Sequence, residues 1–130
     1  MEAALNEFHE EGPSAVVVQE VAIAFIGRSI RVLVLNGSVL GSTLRIGASG
    51  SFVSNISAGG SQELIELTRG EISMATDAAS AVGLGFAGVD ICRSRGSSSV
   101  LEVNACPDFS SMIPLLGETI ADEVLRGVLS

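Results

Sequence analysis

FAGVDICRSRGSSSVLEVNA, residues 86–105, contains two runs in which apolar and polar side chains alternate, separated by a centre rich in Gly and Ser. Period-two alternation marks a half-buried strand. Two such runs around Arg95-Gly96-Ser97 predict an antiparallel hairpin, with strands from Phe86 to Arg93 and from Ser99 to Ala105. Asp90, Glu102 and Asn104 then share one face, and Val89, Ile91, Leu101 and Val103 share the other. A hairpin centred on Gly96 sets Asp90 opposite Glu102, with Cβ atoms about 4.5–5.5 Å apart. Two carboxylates that close repel each other unless positive charge lies between them. On the residues alone two readings stand. One is an acidic face open to solvent. The other is a site for a hard divalent cation, because magnesium is typically held by one or two carboxylates together with substrate phosphates.

Upstream, Asn36-Gly37 separates the runs 30–35 and 38–46. Both residues tolerate positive φ, so the pair predicts a type I′ turn between two strands. Before it, Leu5 and Phe8 read as the tail of an amphipathic helix ending near Gly12-Pro13, and the β-branched run 16–21 reads as a further strand. From Gly47 to Gly60 the chain is rich in Gly, Ser and Ala and reads as a long loop carrying Phe52 and Asn55. Thr68-Arg69-Gly70-Glu71 is a capping-box pattern, and Ile72, Ala75, Ala79 and Val82 follow it at helical spacing until Gly83 and Gly85 end the helix. Pro107 ends the second hairpin. A closing helix from about Glu118 to Leu129 places Ile120, Val124, Leu125 and Val128 on one face. The element order predicts a single α+β domain: antiparallel hairpins forming a sheet, with helices packed on one side.

Composition limits what such a domain does. With 47% apolar residues, five Phe and no Trp or Tyr, the core is packed from Val, Ile, Leu and Ala. The formal charge of −8 argues against a dedicated nucleic-acid binder, since no basic cluster is available to release counterions from phosphates. No apolar run reaches membrane-spanning length and residues 1–12 lack the pattern of a leader, so the expectation is a cytoplasmic protein without a membrane partner. Two cysteines, Cys92 and Cys106, without CxxC spacing, and one histidine, His9, indicate neither a disulfide framework nor a zinc site.

The quoted segments resemble the ATP-grasp superfamily, and specifically its RimK-type branch of amino-acid ligases. The likeness is carried by Gln19-Glu20-Val21, Ile30-Arg31-Val32-Leu33-Val34, Arg45, Phe52-Val53-Ser54-Asn55, Gly59-Gly60, Ala87-Gly88-Val89-Asp90-Ile91 and Leu101-Glu102-Val103-Asn104-Ala105-Cys106-Pro107. The resemblance implies that Asp90, Glu102 and Asn104 hold magnesium, or manganese, bridging the phosphates of ATP. It implies that Glu20 and Val21 read the adenine edge, that Ser29 stands near the ribose or phosphates where the family usually has Asp, and that Val53, Ser54 and Asn55 approach the nucleotide. It gives Arg31 and Arg45 places beside the reacting carboxylate and the transferred phosphoryl group. The implied reaction is phosphorylation of a carboxylate by ATP, followed by attack of an amino acid's amine on the acyl phosphate. The implied domain is the C-terminal lobe of the ATP-grasp fold, with the N-terminal and central lobes absent from these residues. Such a lobe works with a partner lobe, and its apolar docking surface gives a motive for homo-oligomerisation. The competing expectation is a non-catalytic fragment that only binds nucleotide or mediates self-association.

Two other signals point away from function. Residues 83–88 spell a formal G-x-G-x-x-G, yet a helix precedes them and a strand follows, the reverse of the order that presents a helix N-terminus to a pyrophosphate. Cys106 has no His partner in the pattern and reads as a small residue filling a turn.

Overall fold

The computed structural model describes residues 27–48, 59–94 and 96–129. The elements are β1 (Arg28–Leu35), β2 (Ser38–Ile46), β3 (Ser61–Leu64), α1 (Arg69–Ala81), β4 (Phe86–Ser94), β5 (Ser97–Asn104), a 3-10 turn (Ser110–Met112), α2 (Ile113–Leu116) and α3 (Thr119–Leu129). All neighbouring strands are antiparallel, in the order β3-β2-β1-β4-β5. The α+β class and the antiparallel sheet are as expected. The expected opening helix, the strand at 16–21, His9 and most of the loop between Gly47 and Gly60 lie outside the described residues. Among the described residues no helix is long and apolar enough to cross a membrane.

β1 takes the centre of the sheet because its run Ile30–Leu35 is apolar on both sides, apart from Arg31. Ile30, Val32 and Val34 point to one face and pack with Ala87, Val89 and Ile91 of β4 against Ala75 and Ala79 of α1. Leu33 points the other way, against Met112 and Ile120. Consecutive β1 residues therefore contact different helices, and the helices lie on both sides of the sheet, not on one. α1 covers the first face, while the 3-10 turn, α2 and α3 cover one end of the second.

The local signals behave as their chemistry dictates. Asn36 and Gly37 have φ of 48° and 77°, the positive values a type I′ turn needs. Thr68 Oγ1 accepts from Glu71 N, and Glu71 Oε2 accepts from Thr68 N, closing the capping box. The helix ends in a Schellman motif, with Gly83 N donating to Ser80 O and Leu84 N to Ala79 O. Two apolar stripes are rotated from their expected positions. On α1 the buried row is Glu71, Ala75 and Ala79, leaving Ile72 and Val82 exposed. On α3 the buried residues are Ile120 and Val124, with Gly127 against Leu35, so Leu125 and Val128 face outward. Small residues at the contacts let both helices sit close to the sheet.

The second hairpin reaches its expected pairing by an unexpected route. Ser94 pairs with Ser97, so the turn is one residue tighter than Arg95-Gly96-Ser97, and a β-bulge between Asp90 and Ile91 restores the register. Val100 opposes Ile91, Leu101 is the extra residue, and Glu102 opposes Asp90. Leu101, expected on the inner face, is exposed at the bulge.

Candidate functional site

The second face of the sheet changes character along its strands. Where Leu33 and Leu35 stand it is apolar and covered by the C-terminal helices. Two residues back along β1 stands Arg31, and the register ranks polar side chains beside it on every strand. Arg31 faces Thr43 on β2 and Asp90 on β4, Asp90 faces Glu102 on β5, and Arg45 faces Ser29 on β1 and Gln62 on β3. Asn104, two residues beyond Glu102, is paired with Gly88. The chain leaving β5 returns as a strap over this face. Gly88 admits it: a Cβ there would meet Pro107 Cβ at 2.6 Å and the Arg31 guanidinium at 3.1 Å. The strap is held by Asp108, which accepts from Ser110 N and Oγ at 2.9 and 2.7 Å, and by Gln62 Nε2, which donates to Ser111 O. The Ser110 hydrogen bonds keep the Asp108 carboxyl below its usual range.

At the centre, Arg31 grips Asp90 bidentately, with Nε to Oδ1 at 2.5 Å and Nη2 to Oδ2 at 2.8 Å. Arg45 Nη1 approaches both Asp90 oxygens at 3.4 Å. All three side chains are nearly buried, at 10–15% exposure. The positive charge that Asp90 and Glu102 require is therefore supplied in part by two arginines. Burial pulls the Arg45 guanidinium below its ordinary value; Asp90 opposes this, the like charge of Arg31 adds to it, and Glu102 opposes it. Glu102 is exposed and Asn104 half-buried.

The structure thus brings Ser29, Arg31, Arg45, Asp90, Glu102 and Asn104 to one face. Glu20, Val21, Val53, Ser54 and Asn55 lie outside the described residues. Among the described residues no cluster of three or more His, Cys, Asp or Glu forms a cation cage of its own. The arginines engage both Asp90 oxygens, so a metal shared with a ligand would take Asp90 in exchange for those contacts. Asp90, Glu102 and Asn104 offer oxygen donors only, in the number magnesium takes when phosphates complete its shell. Asn104 also has a buried amide end, Nδ2, without a hydrogen-bond partner. Cys92 is buried, and Cys106 is exposed just past β5.

Sequence reasoning missed two residues of this face. Thr43 Oγ1 and Gln62 Oε1 are buried and unpartnered, and with Asn104 Nδ2 they make up the unsatisfied buried side-chain atoms of the described residues. All three lie on the same face. Buried polar groups are paired in the great majority of cases, so three such atoms on one face single it out as the candidate surface. Thr43 was within reach of the alternation that pairs it with Arg45 on β2. Gln62 was not, because β3 has little apolar pattern of its own.

A family model described as the RimK-like ATP-grasp domain matches residues 2–128. Probable alpha-L-glutamate ligases of Psychromonas ingrahamii and Syntrophotalea carbinolica are each 39% identical over 111 residues, covering 85% of this chain and 37% of theirs. The chain thus spans little more than a third of the length of these curated relatives. In fold it is similar to the ATP-grasp ligase PsnB, solved with a phosphomimetic variant of its minimal precursor, Mg and ADP. The TM-score is 0.61 at 21% identity, over 96% of this chain and 50% of that one. It is also similar to D-alanine–D-alanine ligase from Bacillus anthracis complexed with ATP, with a TM-score of 0.57 at 19% identity, over 98% and 46% of the two chains.

Proposed function

The chain belongs to the RimK-like ATP-grasp family, and on that premise we propose that it forms the acid-and-arginine face of an ATP-dependent carboxylate–amine ligase. The observation that carries the reading is the Arg31–Asp90–Arg45 cluster facing Glu102 across adjacent strands. Asp90, Glu102 and Asn104 are the residues that would hold magnesium with the nucleotide phosphates. The ion, when bound, neutralises phosphate charge and fixes the position of the transferred group.

The chain's own residues do the remainder. Arg31 and Arg45 keep two fixed positive charges in a nearly buried setting, where they act on an anionic carboxyl and on the acyl phosphate formed from it more strongly than in water. Ser29, buried opposite Arg45, offers a hydroxyl where the family usually offers a carboxylate. Glu20 and Val21 are assigned to the adenine edge, and Val53, Ser54 and Asn55 to the nucleotide. The amine component is an amino acid, and L-glutamate is the first to test because the relatives are named glutamate ligases. The remaining lobes of the ATP-grasp fold come from a partner polypeptide or from a longer form of this chain, and the setting is cytoplasmic.

Calorimetry with magnesium-ATP on this chain and on Glu102→Ala tests the proposal. Binding by the native chain that Glu102→Ala abolishes supports it, and equal binding, or equal lack of it, removes the support. A second reading, a domain that binds nucleotide without catalysis, draws on Ser29 in place of the acid. It predicts nucleotide binding without hydroxamate when hydroxylamine and a peptide ending in glutamate are added.

A further inference from the structure

The polar face has an order across the sheet. Glu102, Asn104 and Asp90 occupy β5 and β4, Arg31 follows on β1, Arg45 and Thr43 on β2, and Gln62 on β3. Neighbouring strands lie about 4.8 Å apart, so Gln62 stands at the end of the row farthest from the acids. In the ligase reading the phosphates belong to the acid end and the reacting carboxyl to the arginines. The β2–β3 end is then left for the third reactant.

Gln62 has the chemistry for that place. Its Nε2 donates to the carbonyl of Ser111, which leaves Oε1 as a buried acceptor without a donor. The guanidinium groups of Arg31 and Arg45 donate to Asp90. An acceptor in need of a donor, one ladder position from Arg45, suits an N–H group. We propose that Gln62 Oε1 receives the amine of the incoming amino acid, with the Thr43 hydroxyl lining the same end of the site. This rests on the ligase reading above.

In the step it serves, the lone pair of the neutral amine forms the C–N bond. The bond from the acyl carbon to the phosphate oxygen breaks with its electron pair going to phosphate, and the surplus amine proton passes to that phosphate. Gln62 neither gives nor takes a proton. By accepting one N–H it aims the lone pair at the acyl carbon beside Arg45, a gain in orientation.

The test is NMR on the isotope-labelled full chain, following the Gln62 side-chain amide during titration with L-glutamate and with glutarate, which keeps both carboxyls and lacks the amine. Glutamate is expected to move that signal and to bind more tightly than glutarate. Gln62→Met should lower glutamate affinity about tenfold, the loss of one hydrogen bond from the amine, without changing glutarate binding. Gln62→Glu, which keeps an acceptor, should retain the preference for glutamate. Equal affinity for the two acids, no glutamate binding, or an unaffected Gln62→Met overturns the inference. Magnesium-ATP binding with its Glu102→Ala control reports on the ligase reading separately. A chain that binds nucleotide and ignores the amine refutes this inference alone, and one that prefers glutamate without binding nucleotide refutes the ligase reading alone.

Discussion

Glu71 and Asp90 are both buried carboxylates gripped by an arginine, one on each face of the same sheet, and they are completed in opposite ways. Glu71 accepts from Arg93 Nε and Nη2, each at 2.7 Å, from Ser98 Oγ at 2.8 Å and from Thr68 N at 2.9 Å. Its lone pairs are filled from β4, from β5 and from the N-cap of its own helix, so it pins α1 to β4 and β5. Among the described residues Asp90 has arginine partners alone, and its face holds the unpartnered atoms of Thr43, Gln62 and Asn104. A saturated carboxylate does structural work. One held by two arginines among unsatisfied neighbours can exchange those partners for a ligand's.

The largest break in this comparison should come from Arg31→Met. Removing one side of a buried pair leaves Asp90 with Arg45 alone and should cost about 3–5 kcal/mol in urea unfolding. Pairing it with Asp90→Leu should return part of that loss, since it removes the uncompensated carboxylate but also takes away the Asp90 contact of Arg45. An Arg31→Met variant as stable as the native chain would show that the grip on Asp90 contributes nothing to stability.

On the other face, Glu71→Gln should cost about 2–3 kcal/mol at neutral pH. The hydrogen bond from Arg93 is the main cause that holds the Glu71 carboxyl near 2, against 4.5 for the free group, while burial works the other way. A depressed folded value means the stability is fully present above about 4.5 and is lost as pH falls toward 2. Urea midpoints measured across that window should drop for the native chain and stay flatter for Glu71→Gln. Parallel curves would contradict the pinning role.

Two smaller effects sharpen the contrast. Gly88→Ala drives a Cβ into Pro107 and the Arg31 side chain. It should cost about 1–3 kcal/mol by lifting the strap from the polar face. Thr43→Val removes an orphaned hydroxyl and should raise stability by about 1 kcal/mol, as a site residue retained against stability would. A loss there would mean that the hydroxyl has a partner in solution.

What could be read from the sequence was what depends on neighbours along the chain. Asn36-Gly37, the Thr68–Glu71 box and the glycine stop at Gly83 carry their own geometry, and each forms as expected. The facing of Asp90 and Glu102 also came out correctly, but only because a tighter turn and a bulge at Leu101 offset each other, and spacing cannot reveal that. β3 was invisible because Ser61–Leu64 is a strand only through its ladder with β2. The Arg31–Asp90 grip joins residues 59 apart through the adjacency of β1 and β4, which no local pattern encodes. The division of the helices between two faces has the same origin, since continuous burial of β1 shows that both sides are covered without showing by what.

Thermal unfolding with and without magnesium-ATP, run on the native chain, Glu102→Gln and Glu71→Gln, tests the difference between the two faces most directly. A ligand that binds only the folded state raises its melting temperature. The account predicts a rise in the native chain, a rise of similar size in Glu71→Gln despite its lower starting point, and none in Glu102→Gln. No rise in the native chain, or an equal rise in Glu102→Gln, would contradict it.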